Sequence, residues 1–271
     1  MEFPSAQSYW RFASSVSREW RYTRNDEQAA FLAAVLSTSV SRQEILPEGA
    51  TLWRAQEGCE WPGTGQIAEL DPGPWPYGTS RMKPLPDRAA EGRVNPRGIP
   101  CLYAATHRET AVAEVRPWVG AHVSVAQLRT VRPLKLVNCT SDDRRLILFG
   151  REPTPEEREK ACWLDIDGAF SRPVERSDQL AEYVPTQIIA EMFRKEGFDG
   201  IAYRSSLGPG HNVALFDLDA AEVASCGVFN VRGMAFEIEE AGNPYFVTSY
   251  FPDDASRDAE SRRLKNPAED K

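Results

Sequence analysis

Between Gly92 and Pro117 the chain sets a cationic turn, a tyrosine and an acid in close succession. Gly92-Arg93-Val94-Asn95-Pro96-Arg97-Gly98 is an arginine-rich turn, and Ile99 to Ala105 is an apolar run through Tyr103. Thr106-His-Arg-Glu-Thr-Ala-Val-Ala-Glu114 then carries the acid up to Arg116-Pro117. Forked guanidinium groups hold phosphate oxygens well, and a carboxylate beside them can act on whatever the phosphates deliver. The combination suits an anionic ligand such as a phosphorylated nucleotide. Taken singly, each residue has an ordinary role. Glu114 reads as a solvated helix acid, Arg54 as a salt-bridge partner on a strand, and Tyr103 as a core residue with its hydroxyl satisfied. Ser205 and Ser206 read as turn residues.

The elements around these residues can be read from local signals. Thr106 with Glu109 three residues on has the pattern of a capping box, and Pro117 disfavours helix at Arg116, so Glu114 falls near the end of a two-turn helix. Anions are disfavoured at that end of a helix, which makes Glu114 a local conflict and a pointer to function. Thr51–Ala55 reads as a strand carrying Arg54. Further strands are expected at about 121–125 and 131–137. A helix starts at the Thr154-Pro155-Glu156-Glu157 box and ends near Trp163-Leu164, and another spans 185–196 with Gly197 as its stop. Phe198 to Ser206 is a strand running into a polar turn, Leu207-Gly-Pro-Gly-His-Asn212 is a loop, and Val213–Phe216 is the next strand. Residues 228–238 and 245–251 suggest a closing hairpin or two edge strands.

Composition narrows the class. At 271 residues the chain can bury a substantial core. A net charge of −8 argues against a general nucleic-acid coat or an anionic-membrane binder, although a local basic pocket remains compatible with it. Five scattered cysteines form no C-x-x-C, and with three histidines a structural zinc site is not expected; the thiols read as reduced. The opening residues lack a basic stretch followed by an apolar core, and no apolar run is long enough to span a bilayer, so a cytoplasmic protein without a membrane anchor is expected. Six lysines against 26 arginines reflect base composition as readily as phosphate binding, so only the placement of particular arginines carries information. A Gly-x-Ser-x-Gly elbow is absent, and Gly208 and Gly210 do not complete a dinucleotide-binding fingerprint.

Several pieces taken in order resemble one family. They are Leu52-Trp53-Arg54-Ala55, Gly92-Arg93-Val94-Asn95-Pro96-Arg97-Gly98, and Leu102-Tyr103 through Glu114-Val115-Arg116. Thr186-Gln187, Phe198 through Ser205-Ser206, and Asn212 through Asp217 complete the series. This order resembles the RES-domain family, named for Arg, Glu and Ser, over roughly residues 50–230. The resemblance implies an α+β fold with a split, mostly antiparallel sheet and flanking helices, similar to ADP-ribosyltransferase toxins. It implies a bacterial toxin that consumes NAD and is neutralised by a helix-turn-helix antitoxin.

Carried over by position, the family's Arg is Arg54, its Glu is Glu114 and its Ser is Ser205, with Ser206 one place away. Arg93 is the arginine of the Gly-Arg-x-Asn turn, and Tyr103 is the tyrosine that ends the strand. The implied roles put Glu114 beside the ribose as positive charge builds there, and Arg54 and Arg93 on the pyrophosphate. Tyr103 walls the nicotinamide, and Ser205 holds a phosphate or the nicotinamide amide. Asn95 and Ser206 join the NAD-binding set, with no metal and no cofactor beyond NAD as substrate. The acceptor stays open between phosphate, water and a macromolecule, and a non-catalytic partner-binding module is the alternative from another class. The implied organisation is a helical N-terminal extension at 1–45, the NAD-binding catalytic domain with closing strands at 46–251, and a flexible charged tail at 252–271. The N-terminal region and the Pro-rich stretch between Arg54 and Arg93 exceed the compact toxin pattern.

Overall fold

The computed structural model describes residues 2–61, 73–85, 88–141, 151–172, 180–235 and 238. Contacts divide the chain into two units, Met1–Met234 and Ala235–Lys271. Nearly all of the second, including the segment expected to form a strand at 245–251 and the charged tail, lies outside the described residues. All that follows concerns the first.

The chain opens with α1 (Ser8–Arg18) and α2 (Asp26–Ser39). Tyr9, Phe12 and Val16 recur at helical spacing and are buried. Asn25 caps α2, its side chain accepting from the Gln28 amide at 2.8 Å while Gln28 accepts from the Asn25 amide at 3.3 Å. Phe12 stacks on Phe31 with ring centroids 4.5 Å apart, which joins the two helices. Strands β1 (Gln43–Leu46), β2 (Thr51–Glu57) and β3 (Leu102–Ala105) follow, then α3 (Arg108–Glu114). Next come β4 (His122–Thr130), β5 (Leu134–Asn138), α4 (Pro155–Ser171) and α5 (Val184–Lys195). Strands β6 (Gly200–Arg204), β7 (His211–Leu215) and β8 (Ala221–Asn230) close the unit.

The strands form one eight-stranded sheet in the order β1-β5-β6-β7-β3-β2-β4-β8, so the fold is α+β. β5 and β6 run parallel and the other neighbours antiparallel. Alternation along the central strands feeds two apolar layers. Val137, Ile201, Tyr203 and Ala214 join α1, α2, α4 and α5 in one cluster, while Leu136, Ala202, Val213 and Leu215 join Leu52, Leu102 and Leu128 in the other. The N-terminal helices therefore share their core with Trp163, Ile189 and Phe193 of the later helices.

The sheet is split in a physical sense. β2 and β3 meet at a single pair, Trp53 opposite Ala105. Continuing that antiparallel register would set Ala55 opposite Tyr103, but the ladder stops and the strands diverge. Arg54 Nη1 instead donates to the Tyr103 carbonyl at 2.7 Å, so a side chain takes the place of a strand in satisfying that acceptor.

Three local expectations are corrected. The Thr106–Glu109 box does not form: His107 is the N-cap residue of α3 without a side-chain cap, and Thr106 Oγ1 accepts from the His211 amide at 2.9 Å instead. The start of β7 outcompetes the helix for that hydroxyl. α4 does not stop near Trp163-Leu164 but runs to Ser171, because Ile166 and Phe170 prolong the buried stripe past Asp165, Asp167 and Gly168. The strand expected at 228–238 is Ala221–Asn230, with 231–235 in no strand. Its sequence lacks apolar alternation because it is an edge strand, buried at Ala221 and elsewhere only exposed or half-buried, drawn into place by the nine residues of β4.

Candidate active site

A cleft of about 590 Å3 opens where β2 and β3 separate. Its lining includes Trp53, Arg54, Arg93, Tyr103, Glu114, Tyr203 and Asn212. Volumes of this order suit a small-molecule ligand.

Glu114 is the last residue of α3. A loop following β6 packs against that helix. Thr110, fully buried, donates to the Pro209 carbonyl, and a Cβ on Gly208 would come within 2.7 Å of Thr110 Oγ1. Gly210 has φ +73° and would drive a Cβ to 2.2 Å from His107 Nδ1. Only glycine lets the loop approach this closely with this backbone. The helix ends abruptly after Glu114, because Arg116 adopts the left-handed region at φ 49° immediately before Pro117. For a non-glycine residue this is a strained conformation of the kind that concentrates at functional sites.

The loop returns two donors to the carboxylate. Ser205 Oγ donates to Glu114 Oε1 at 2.9 Å, and Asn212 Nδ2 donates to the same oxygen at 2.6 Å. They offset the unfavourable position of an anion at a helix C-terminus. Ser205 also accepts from the Leu207 amide at 3.1 Å. Its hydroxyl is thus engaged by the carboxylate and the loop. Ser206 is exposed and outside the cleft lining. Between the two serines, Ser205 is the one the fold joins to Glu114.

The arginines are held differently. Arg54 spends Nη1 on the Tyr103 carbonyl, and Arg93 spends Nη2 on the Arg172 carbonyl at 2.8 Å. The Nε atoms of both are buried without a hydrogen-bond partner. Burial pulls the Arg54 guanidinium below its ordinary pKa, but arginine stays charged at neutral pH. Leaving a buried donor unpaired costs roughly 1–3 kcal/mol, so these two atoms mark donors that a ligand can satisfy.

Tyr103 is fixed by its own hydroxyl, which donates to Asn95 Oδ1 at 2.7 Å and accepts from the Val94 amide at 3.0 Å. Burial pushes this phenol well above its ordinary value, and it does the same to Tyr203. Neither ring is an acid–base group near neutral pH; both are walls. Asn95, expected in the NAD-binding set, has its polar groups engaged within the protein. It is buried, and its Nδ2 donates to the carbonyls of Ala90, Pro96 and Ile99. It lines a separate depression of about 270 Å3 against α5 and not the cleft. Gly92 is needed at this turn because a Cβ there would lie 2.5 Å from the Tyr103 hydroxyl.

Three residues at or behind the cleft, Asn212, Tyr203 and Gln187, were quoted in the motif series without a role at the site. Gln187 Nε2 donates to the carbonyls of Gly92 (2.9 Å) and Asn95 (3.1 Å), pinning the turn that carries Arg93. A polar residue buried near the start of a strand (Asn212) or within a buried helix stripe (Gln187) is the signal that could have found two of them. Among the described residues no group of three or more His, Cys, Asp or Glu side chains is placed to hold a metal ion.

The order of these pieces along the chain is matched by a family model, the RES domain, over residues 51–235. The chain belongs to the RES-domain family. A chain in the crystal structure of the M. tuberculosis MbcT–MbcA toxin–antitoxin complex is also similar: 13% identical, with a TM-score of 0.39, covering 73% of this chain and 96% of that one. No curated protein matches. The RES match spans β2 to β8 and so includes Arg54, Arg93, Glu114, Ser205 and Asn212, whereas α1 and α2 precede it.

Proposed function

We propose that this RES domain cleaves the nicotinamide–ribose bond of NAD and passes the ADP-ribosyl group to a small acceptor, phosphate or water. The observation that carries the reading is the pairing within one cleft of a pre-positioned carboxylate, Glu114, with two half-buried arginines whose buried Nε atoms keep unspent donors. As the bond from the ribose C1 to the pyridinium nitrogen breaks, its electron pair returns to the ring and neutralises nicotinamide. Positive charge builds on the ribose, where Glu114 stabilises it and accepts a ribose hydroxyl. An oxygen of phosphate or water then bonds to C1. With phosphate the products are nicotinamide and a phosphorylated ADP-ribose; with water they are nicotinamide, ADP-ribose and a proton. Arg54 and Arg93 hold the pyrophosphate by charge-assisted bonds, and the fixed Tyr103 ring walls the nicotinamide. NAD is consumed as substrate, and no resident cofactor or metal takes part.

In a cell, such turnover depletes NAD and arrests growth. This fits a bacterial toxin held in check by an antitoxin, with a helix-turn-helix protein as the partner that the family resemblance implies. Among the described residues no helix is long and apolar enough to cross a membrane. The test is NAD loss and nicotinamide release by the purified chain, with and without phosphate, beside Glu114→Ala. Loss that requires phosphate supports a phosphorylase, and loss in either buffer supports a glycohydrolase. Retained turnover in folded Glu114→Ala rejects the assignment.

A further inference from the structure

The end of α4 touches Arg93 and the residue before Ser205 without lining the cleft. Asp167 is fully buried. Its Oδ1 accepts from Ser171 Oγ at 2.9 Å, and its Oδ2 accepts from the Ser141 amide at 3.2 Å. The same Oδ2 pairs with Arg204 Nη2 at 3.1 Å. Arg204 is the last residue of β6, and the next residue is Ser205, which holds Glu114. Ser141 lies just beyond β5. Because β5 and β6 form the parallel pair, both strands finish at the same end of the sheet, and one carboxylate ties their exits together. Four residues on from Asp167 is Ser171, and the C-cap residue after it, Arg172, gives its carbonyl to Arg93.

Asp167 is fully buried while Arg204 keeps 34% of its side chain exposed, and a pair that desolvates its carboxylate so fully is a poor way to gain stability. Desolvating a carboxylate costs several kcal/mol, and apolar replacements of buried pairs are often neutral or stabilising. What the pair does supply is direction: it fixes where β6 ends and hence where the Ser205 hydroxyl stands. We propose that Asp167 is a positioning residue for Glu114, acting through Arg204 and Ser205. The last turn of α4 thereby sets the spacing between the carboxylate and Arg93. The inference rests on the NAD-cleavage reading for its kinetic arm only.

The experiment compares the full-length wild type with Asp167→Asn, following NAD kinetics and amide hydrogen exchange together. Expected are a kcat lower by about 10- to 100-fold with KM moved less than about threefold, since a displacement near 1 Å has consequences of this size. The Leu207 amide, which donates to Ser205, exchanges faster, while amides of α1 and α2 keep their protection. A kcat within about twofold of wild type with unchanged Leu207 exchange overturns the proposal. So does a loss of protection spread evenly through α1 and α2, which is what a purely structural role predicts. If Asp167→Asn does not fold, Ser171→Ala decides. It removes one partner of the carboxylate and leaves no unpaired charge, and it shows the same pattern at smaller size or, if it behaves as wild type, refutes the idea. If the wild type itself leaves NAD intact, the functional reading fails and the Leu207 exchange alone judges the positioning role.

Discussion

Glu114 and the two cleft arginines differ in how far the protein has already satisfied them. Two donors converge on one oxygen of the carboxylate, and both come from the strand ends that flank a single loop. The guanidinium groups are tethered by one nitrogen each to a backbone carbonyl and keep a buried Nε unpaired. The difference corresponds to two tasks. A group that stabilises charge in a transition state gains most from being set in place beforehand, since nothing then reorganises as the charge develops. A group that recognises a ligand needs donors left over for it.

The comparison can be broken at four points. The largest effect belongs to Glu114→Gln, which keeps the shape and the acceptor toward Asn212 while removing the charge. Nicotinamide release is expected to fall by about 10²–10³-fold or more, with the thermal midpoint nearly unchanged. Arg54→Met comes next and tests the opposite pole. KM for NAD is expected to rise by about 10- to 100-fold, the size of a charged hydrogen bond, while the thermal midpoint moves little, since loss of the bond to the Tyr103 carbonyl offsets removal of an incompletely paired cation. A fall in the midpoint with KM unchanged would make Arg54 a structural residue. Asn212→Ala leaves Glu114 with Ser205 as its donor, and kcat is expected to drop about tenfold with little change in KM. Asn95→Ala has the smallest catalytic effect. It frees three carbonyls and the Tyr103 hydroxyl, so the midpoint is expected to fall by about 2–6 °C in a thermal melt while KM per folded molecule stays near wild type. A large rise in KM there would return Asn95 to the ligand.

Particular residues show how much was legible in advance. The cap at Thr154 was readable because a helix start is a contract among neighbours three residues apart. The Thr106 box carried the same local signal and failed, because the β7 backbone reached that hydroxyl first. The apolar stripe of α4 overrode the Asp-Ile-Asp-Gly sequence that resembles a stop, since burial of Phe170 outweighs weak local preferences. At the site, Arg54, Arg93, Tyr103 and Glu114 could be named from motif order. Asn95 and Ser205 carried the same motif signal, yet their polar groups turn out to be spent inside the protein.

The sequence by itself determined the family, the α+β class and the chemical types gathered at the cleft, because these follow from residue identity and order. Only the tertiary structure decided which of those groups are already satisfied and which remain available. It opened the cleft by parting β2 from β3 after one pair, brought Asn212 to Glu114, and turned Asn95 away into the turn. A hydrogen-bonding group is fixed by its residue type, but its partner is whichever group competes best in space, and that competition runs between segments far apart along the chain.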